Sequence, residues 1–499
     1  MDSSIILRGK YTAFFCSCMI HLFAKAAYMF PLYSVTLKTK LSLNFQQVVL
    51  LSLMKDLGGS VAFIFGYILK KFLFRMWFIM TVASLVNAVA YVFLWLSVMD
   101  FTAIQLRFEH CAVLIFVGAC AQGILKFFAM SMLDEFPPSF CKSAYKLLAL
   151  FSSVGGSSNT LMQVGFFGDG SGSDKSVLFL LGFMPGAVCL FFYHSSKRVQ
   201  FKLEKERAIL IFNRFSNMLN FLAVWTAVVT VAERFLNFNR VYYAVSAVVT
   251  IIIAVFLPGV LSVKEDVVLW GKEKESEEEE KEEEPVEEEN EGKNNVSKLF
   301  HFFIILLTTL VGLGSITSST DLFPSILEST EHKINAVKII LIFANLSVFL
   351  GKRLFSKFEP ENPSIFLSLS LFLSFLASFL LAFPFTKSIF FSIQIFSFSK
   401  GVQLQLLPLL IIQTFSKKNH LKIFYFLMSS VPLGTYIIKY KIIYFYYYKN
   451  DTLGKTNIES FFCQGDDCFK HSFTLIGIIN LISIIFYIFI FFLKKKGWN

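Results

Sequence analysis

The chain has 499 residues, of which 55% are hydrophobic and only 16% charged, with a formal net charge of +11. Apolar stretches long enough to cross a bilayer, which takes about 20 helical residues, recur along its length. That layout excludes a water-soluble globular fold, because a lipid-embedded backbone must satisfy its own polar groups as helices or a closed barrel. The 62 phenylalanines are read as lipid-facing filler rather than as a ligand site.

The first apolar run, from Tyr11 to Tyr33, follows Arg8 and Lys10. It is too long for a signal-peptide core and lacks a small-residue cleavage site, so it is expected to persist as the first span. Further spans are expected near residues 46–69, 76–98, 109–132, 142–166 and 176–196, then 217–235 and 241–261. After a charged insert come 299–320, 334–356, 364–384, 388–412, 418–440 and 473–493. The expected fold is all-α and polytopic, with about 14 spans. Its units are an N-terminal six-helix bundle (1–196), a basic linker with two extra helices (197–263), an acidic linker (264–298) and a C-terminal six-helix bundle (299–499).

Basic residues beside spans are retained on the cytoplasmic face. With both termini inside, Lys70, Lys71 and Arg75, the cluster Lys197 to Arg214, Lys352, Arg353 and Lys357, and Lys494 to Lys496 all fall on that face. Lys439 and Lys441 are the main exceptions, at the expected outer end of the thirteenth span. The segment Lys264 to Lys298 carries 15 acidic and 6 basic residues with no apolar period. It reads as a disordered cytoplasmic spacer, with recruitment of a cytoplasmic partner as the alternative. The basic remainder suits anionic lipid headgroups and not nucleic acid. A plasma-membrane location is expected, with vacuolar or other endomembranes as the alternative.

Six of the eight cysteines sit in or beside spans, where a thiol acts as a small hydrophobe. Cys463 and Cys468 flank Gln464-Gly465-Asp466-Asp467 in the last outer loop, where disulfides persist. A disulfide is expected there, since a zinc site needs four ligands and only His471 is near. Asn450 begins a glycosylation sequon in the same loop; the sequons at Asn295 and Asn345 fall in the cytoplasm or a span.

A set of residues resembles the plant nodulin-like proteins of the major facilitator superfamily. It begins with Tyr28, Phe30, Tyr33, Ser34, Leu37, Lys38 and Leu41, then Gln46 or Gln47 and Lys55-Asp56-Leu57-Gly58. It continues through Ile115-Phe116-Val117-Gly118, Asp321 with Glu328, Asn345 with Gly351 and Arg353, and Pro408 with Phe415. Val431-Pro432-Leu433-Gly434-Thr435-Tyr436 and Cys463 with Cys468-Phe469 complete it. The resemblance implies two six-helix bundles with two extra central helices and solute transport by alternating access. Departures are Pro31, where the family commonly has glycine, and the loop Gly66 to Arg75 with its partner Gly351 to Ser356, which keep only fragments of the facilitator loop signature.

Chemistry in such a chain is sought in charge at bilayer depth, which costs at least ~2.5 kcal/mol unless it meets a wet or paired interior. Lys25, Lys55, Lys126 and Lys400 qualify. On the facilitator plan the first and fourth helices of each half line the central cavity, which places Lys25, Lys126 and Lys400 there. His21 shares a helix face with Lys25, Gln122 with Lys126, and Gln403 with Lys400. Thr317, Ser318, Ser319 and Asp321 supply the remaining quadrant. The expected substrate-binding set is therefore Lys25, Lys126, Lys400, Gln122, Gln403 and Ser319. Internal pairing or snorkelling toward the interface is the competing explanation for Lys25, and Lys126, near the middle of its span, is the least easily explained that way. Lys55 beside Asp56 reads first as a structural pair, and His21, Asp56 and Asp321 are candidates for proton coupling.

No phosphate loop, metal-ligand quartet or nucleophile with an adjacent base occurs, so no enzymatic activity, cofactor or metal is expected. Gly155-Gly156-Ser157-Ser158 reads as close helix packing. The function expected is secondary transport of a small organic or inorganic anion, with proton coupling as an option. A non-transporting receptor or scaffold on the same fold is the alternative.

Overall fold

The computed structural model describes residues 10–71, 76–99, 106–131, 133, 138–167, 176–193, 205–236, 239–273, 295–330, 336–357, 363–383, 388–415, 420–453, 463, 465 and 467–495. The helices are α1 (Lys10–Phe23), α2 (Ala26–Leu41), α3 (Phe45–Lys71), α4 (Met76–Val98), α5 (Phe108–Ser131), α6 (Pro138–Phe167), α7 (Ser176–Tyr193), α8 (Lys205–Phe235), α9 (Arg240–Ile251) and α10 (Leu257–Glu273). They continue with α11 (Asn295–Ser329), α12 (Ala336–Lys357), α13 (Pro363–Ala382), α14 (Ser388–Thr414), α15 (His420–Tyr436), α16 (Phe445–Leu453) and α17 (Asp467–Lys495). A π-helical segment Ile252–Phe256 joins α9 to α10, and a second, Ile437–Tyr444, joins α15 to α16. With α1 and α2 taken as one interrupted rod, the described residues form 14 rods, ten of them long and apolar enough to qualify as membrane spans by length and composition. The chain is a polytopic all-α membrane protein.

The packing repeats between halves. In the first six rods α3 packs on α5, α4 on α5 and α7, and α1 on α6. In the last six, α12 packs on α14, α13 on α14 and α17, and α11 on α15. The second and fourth rods, the third and fourth, the third and sixth, and the first and fifth thus pair alike in both halves. The halves meet where α12 lies on α6 and α15 on α3.

The two extra rods pack mainly on α6, through α8 and α9. Their far end corrects the expectation that an unstructured linker starts at Lys264, because α10 continues to Glu273. Asp266 is 4% exposed and accepts Tyr11 N–H at 3.0 Å, Thr12 N–H at 2.8 Å and the Thr12 hydroxyl at 2.6 Å. It caps the unpaired donors that open α1, where a negative charge also suits the helix dipole. Glu265 is held by Arg207 and Arg214 of α8, each at 2.9 Å. Residues 274–294 of the acidic segment lie outside the described residues.

Two close approaches fix the crossing of α1, α6 and α12. A Cβ at Gly155 would stand 2.4 Å from the Leu22 carbonyl oxygen, and one at Gly156 would stand 2.3 Å from Oδ1 of Asn345. Only hydrogen fits there, which agrees with the packing role read from the Gly-Gly-Ser-Ser run. Cys463 and Cys468 form a disulfide with Cα atoms 5.8 Å apart. Gly465 between them adopts φ +109°, a left-handed conformation open to glycine, and its N–H donates to the Ser329 carbonyl at the end of α11. The Cys463 N–H donates to the Tyr447 hydroxyl at 3.1 Å. Asn450 lies within α16.

Candidate functional site

The first rod breaks at Ala24 and Lys25, and Lys25 has φ −123° and ψ 14° ahead of α2, which carries Pro31. Proline offers no N–H and disturbs the preceding turn. The interruption leaves Lys25, which is 0% exposed, at the crossing with α6. There its ammonium donates to the Ser152 carbonyl and to the Ser152 hydroxyl, the latter at 2.7 Å. The same ammonium stands 4.5 Å from the ring centre of Tyr28, one turn on.

Two more lysines reach that ring. Lys126 Nζ from α5 is 6.0 Å from its centre and Lys400 Nζ from α14 is 5.1 Å. Cation contacts with an aromatic face extend to about 6 Å, so Tyr28 is a common neighbour of three ammonium groups drawn from both halves. None of the three has a carboxylate partner among the described residues. A fourth, Lys352 of α12, is 4% exposed and donates to the Ala149 carbonyl of α6 at 3.1 Å. It lies within electrostatic range of Lys25, Lys126 and Lys400. The sequence places Lys352 at the cytoplasmic end of its span and does not single it out as a site residue.

Beside this cluster is a small cavity whose lining includes Tyr28, Pro31, Asp321, Asn345, Ser397 and Lys400. Asn345, which the sequence places in a silent sequon, is 3% exposed and donates to the Leu341 carbonyl at 2.8 Å.

Past Asp321 the charges are balanced. Lys55 Nζ lies 3.0 Å from Asp56 Oδ1 and 2.6 Å from Asp321 Oδ2. Lys439 Nζ lies 2.5 Å from Asp56 Oδ2, 2.6 Å from Asp321 Oδ2 and 2.6 Å from the Ser52 hydroxyl oxygen, which itself donates to Asp321 at 2.9 Å. Two ammoniums and two carboxylates thus close a ring joining α3 to α11 and to the π-helical segment after α15. Lys55 also stands 5.0 Å from the centre of the Phe30 ring. The expected Lys55–Asp56 pair is present within α3, and Asp321 and Lys439 of the other half extend it across the interface.

Lys439 was missed because the thirteenth rod was expected to end at residue 440. It instead runs through the π segment to Leu453, and Lys439, 0% exposed, sits inside that segment. A π turn rotates the side chains relative to an α-helix and recurs at functional sites. The signal was present in Tyr436, Tyr440, Tyr444 and Tyr448, which stack in succession at 5.7, 5.3 and 6.2 Å and continue the four-residue period past Lys441. Lys38 of α2 and Glu328 of α11 make a further ion pair between halves.

Of the remaining expected site residues, Gln122, Gln403 and Ser319 bond to other partners, while His21 lies close to the lysines. Gln122 donates to the Leu181 carbonyl of α7 at 3.3 Å. Gln403 faces α11 and α13 beside Thr308, Thr309 and Leu371, and donates to the Ser399 hydroxyl at 3.4 Å. Ser319 donates to the Ser315 carbonyl one turn back at 2.8 Å. His21 places Nδ1 3.0 Å from the Ser17 carbonyl and is within electrostatic range of Lys126 and Lys25. Both glutamine amides thus donate to backbone or hydroxyl oxygens.

The architecture is similar to that of solved secondary transporters. The POT family transporter PepTSo superposes with a TM-score of 0.59 at 12% identity, over 96% of this chain and 97% of that one. The inward-open xylose transporter XylE from E. coli gives 0.53 at 11% identity over 95% and 94%, and a D-xylose-proton symporter gives 0.55 at 10% over 96% of each. At such identities the likeness concerns the fold alone. No curated protein matches the chain at a significant level. The sequence profile described as Nodulin-like matches residues 10–263, and the chain belongs to that family, on a fold of the major facilitator type.

Proposed function

We propose that this protein is a secondary carrier that moves a small organic or inorganic anion across a membrane by alternating access. The observation that carries the reading is the convergence of Lys25, Lys126 and Lys400 on Tyr28, contributed by both halves and unmatched by any carboxylate among the described residues. An ammonium and an anion about 5 Å apart attract by roughly 3 kcal/mol at an effective dielectric near 20. An anion held among these lysines therefore rewards closure of the halves around it. Asp56, Asp321 and His21 are the proton-coupling candidates. Protonating either aspartate releases a lysine from the interface ring, and charging His21 adds to the lysine cluster. The orientation that accompanies this reading puts both termini in the cytoplasm and the Cys463–Cys468 loop outside, in the plasma membrane, and gives the chain no catalytic role.

The test is tracer uptake by the purified full chain in proteoliposomes, against carboxylates, phosphate, nitrate and uncharged amino acids, with and without a pH gradient. Saturable uptake of at least one anion, lost in Lys126→Gln and Lys400→Gln, is expected. Full uptake in both variants, or uptake of neutral solutes alone, would refute the anion reading. A pH gradient that changes no uptake rate would remove proton coupling.

A further inference from the structure

The charge ledger of the interior separates two compartments that touch at Asp321. In the ring, Lys55 and Lys439 face Asp56 and Asp321, and the four charges cancel. Among the described residues, Lys25, Lys126, Lys352 and Lys400 meet carbonyls, hydroxyls and the Tyr28 ring and form no salt bridge. Both aspartates are ion-paired with Lys55 and Lys439, and they reach Lys400 only at longer range. Buried cations without counter-charge are strongly penalised, so the group that best completes this compartment brings more than one negative charge. Because Lys126 and Lys400 lie 6.0 and 5.1 Å from the same ring centre, these two ammoniums are no more than about 11 Å apart. The adjoining cavity is small. Lys400 and Tyr28 line that cavity, and the Tyr28 ring also meets Lys25 and Lys126, so an anion held beside Tyr28 is within reach of lysines from both halves.

We infer that the lysine compartment selects a compact anion with two or more negative charges, a dicarboxylate or a phosphate, which bridges Lys25 and Lys126 of one half to Lys400 of the other. The inference rests on the carrier reading above and narrows its substrate class. A monoanion leaves most of the four ammoniums uncompensated and has no second end with which to hold the halves together. Uncompensated like charges on opposing halves resist closure, and the bridging anion removes that resistance.

The experiment compares length-matched and size-matched pairs at pH 7.5: succinate against butyrate, and phosphate and sulfate against nitrate. Both thermal stabilisation of the full chain in detergent and uptake into proteoliposomes are read. The multiply charged member of each pair is expected to act at a concentration lower by about tenfold or more, the scale of one added charge-assisted contact. Succinate over phosphate, or the reverse, identifies a carboxylate or a phosphate ligand. In Lys400→Gln the succinate-to-butyrate preference should shrink by about tenfold, while Lys400→Arg retains it. Butyrate or nitrate acting as well as its partner, with the effect lost in Lys126→Gln, would overturn the inference and leave the carrier reading standing. A preference unchanged in Lys400→Gln would overturn the bridge. Neither stabilisation nor uptake with any of these anions would overturn both.

Discussion

The interface ring and the lysine compartment are neighbours built from the same residue type, and they behave as opposites. In the ring each lysine has two carboxylates within 3.0 Å, and the side chains are nearly inaccessible. In the compartment the lysines gather round an aromatic ring with no carboxylate at ion-pair distance among the described residues, Asp321 reaching only the wall of the adjoining cavity. A paired buried charge is complete and holds helices together, whereas an unpaired one waits for a partner from elsewhere. Lys25 and Lys352 are as buried as the ring lysines while Lys126 and Lys400 are half-buried, so burial alone does not distinguish a structural lysine from a binding one. The counter-charge does.

Removing one member of the ring gives the largest expected effect. Lys439→Gln leaves Asp56 and Asp321 sharing only Lys55, and breaking a buried pair this way costs about 3–5 kcal/mol. The yield of folded protein and its thermal midpoint should both fall, while the double variant Asp321→Asn with Lys439→Gln recovers more than half the loss. A single variant as stable as the parent would erase the distinction between the two regions. Lys55→Gln should follow the same course, because it also leaves two carboxylates against one ammonium.

The compartment should respond in the other sense. Lys126→Gln and Lys400→Gln are expected to fold at normal yield and to lose roughly 1.5–3 kcal/mol of anion binding, the range for a hydrogen bond to a charged group. Uptake per folded molecule, measured beside the ring variants, sharpens the contrast. Loss of folding in the compartment variants would make these lysines structural as well.

Smaller effects test the frame that holds both regions. Gly155→Ala puts a methyl group 2.4 Å from the Leu22 oxygen and 2.8 Å from Cε of Lys25. Forcing such a contact typically costs about 1–3 kcal/mol, so a lower thermal midpoint and weaker anion binding should appear together. A drop in midpoint with unaltered binding would show that the α1–α6 crossing does not position Lys25. Replacing Cys463 and Cys468 by serine opens a loop of sequence separation 5. The expected cost is about 2 kcal/mol at most, seen as faster proteolysis of that loop, with anion binding unchanged.

The fold was legible because apolar length is a strong signal. The six-plus-two-plus-six series of apolar runs has its counterpart in the 14 rods and in the repeated pairing of each half. Lys25, Lys126 and Lys400 stood out because each interrupts an otherwise apolar stretch, and the facilitator plan placed their helices together. Lys439 and Lys352 were hidden by the same rule that found the others. Both stand near further basic residues, which read as the end of a span. Charge density also misplaced the start of the acidic linker, since Glu265 and Asp266 look like its first members and are in fact buried partners of Arg207, Arg214 and the start of α1. Local sequence carries no record of a partner more than 200 residues away, as for Lys55 with Asp321.

The clasp of Asp266 on Tyr11 and Thr12 has a bearing on how the chain can be divided. It fastens the last turns of the eighth rod to the first turn of the first, and Glu265 fastens them to the seventh. The first eight rods therefore close on themselves like a strap returned to its buckle, and the seam of the polypeptide falls after Glu273 rather than after the sixth rod. A gene cut between the codons for Glu273 and Asn295 should yield two co-expressed fragments that reassemble in one membrane. A cut between Tyr193 and Lys205 would strand the two extra rods on the wrong piece.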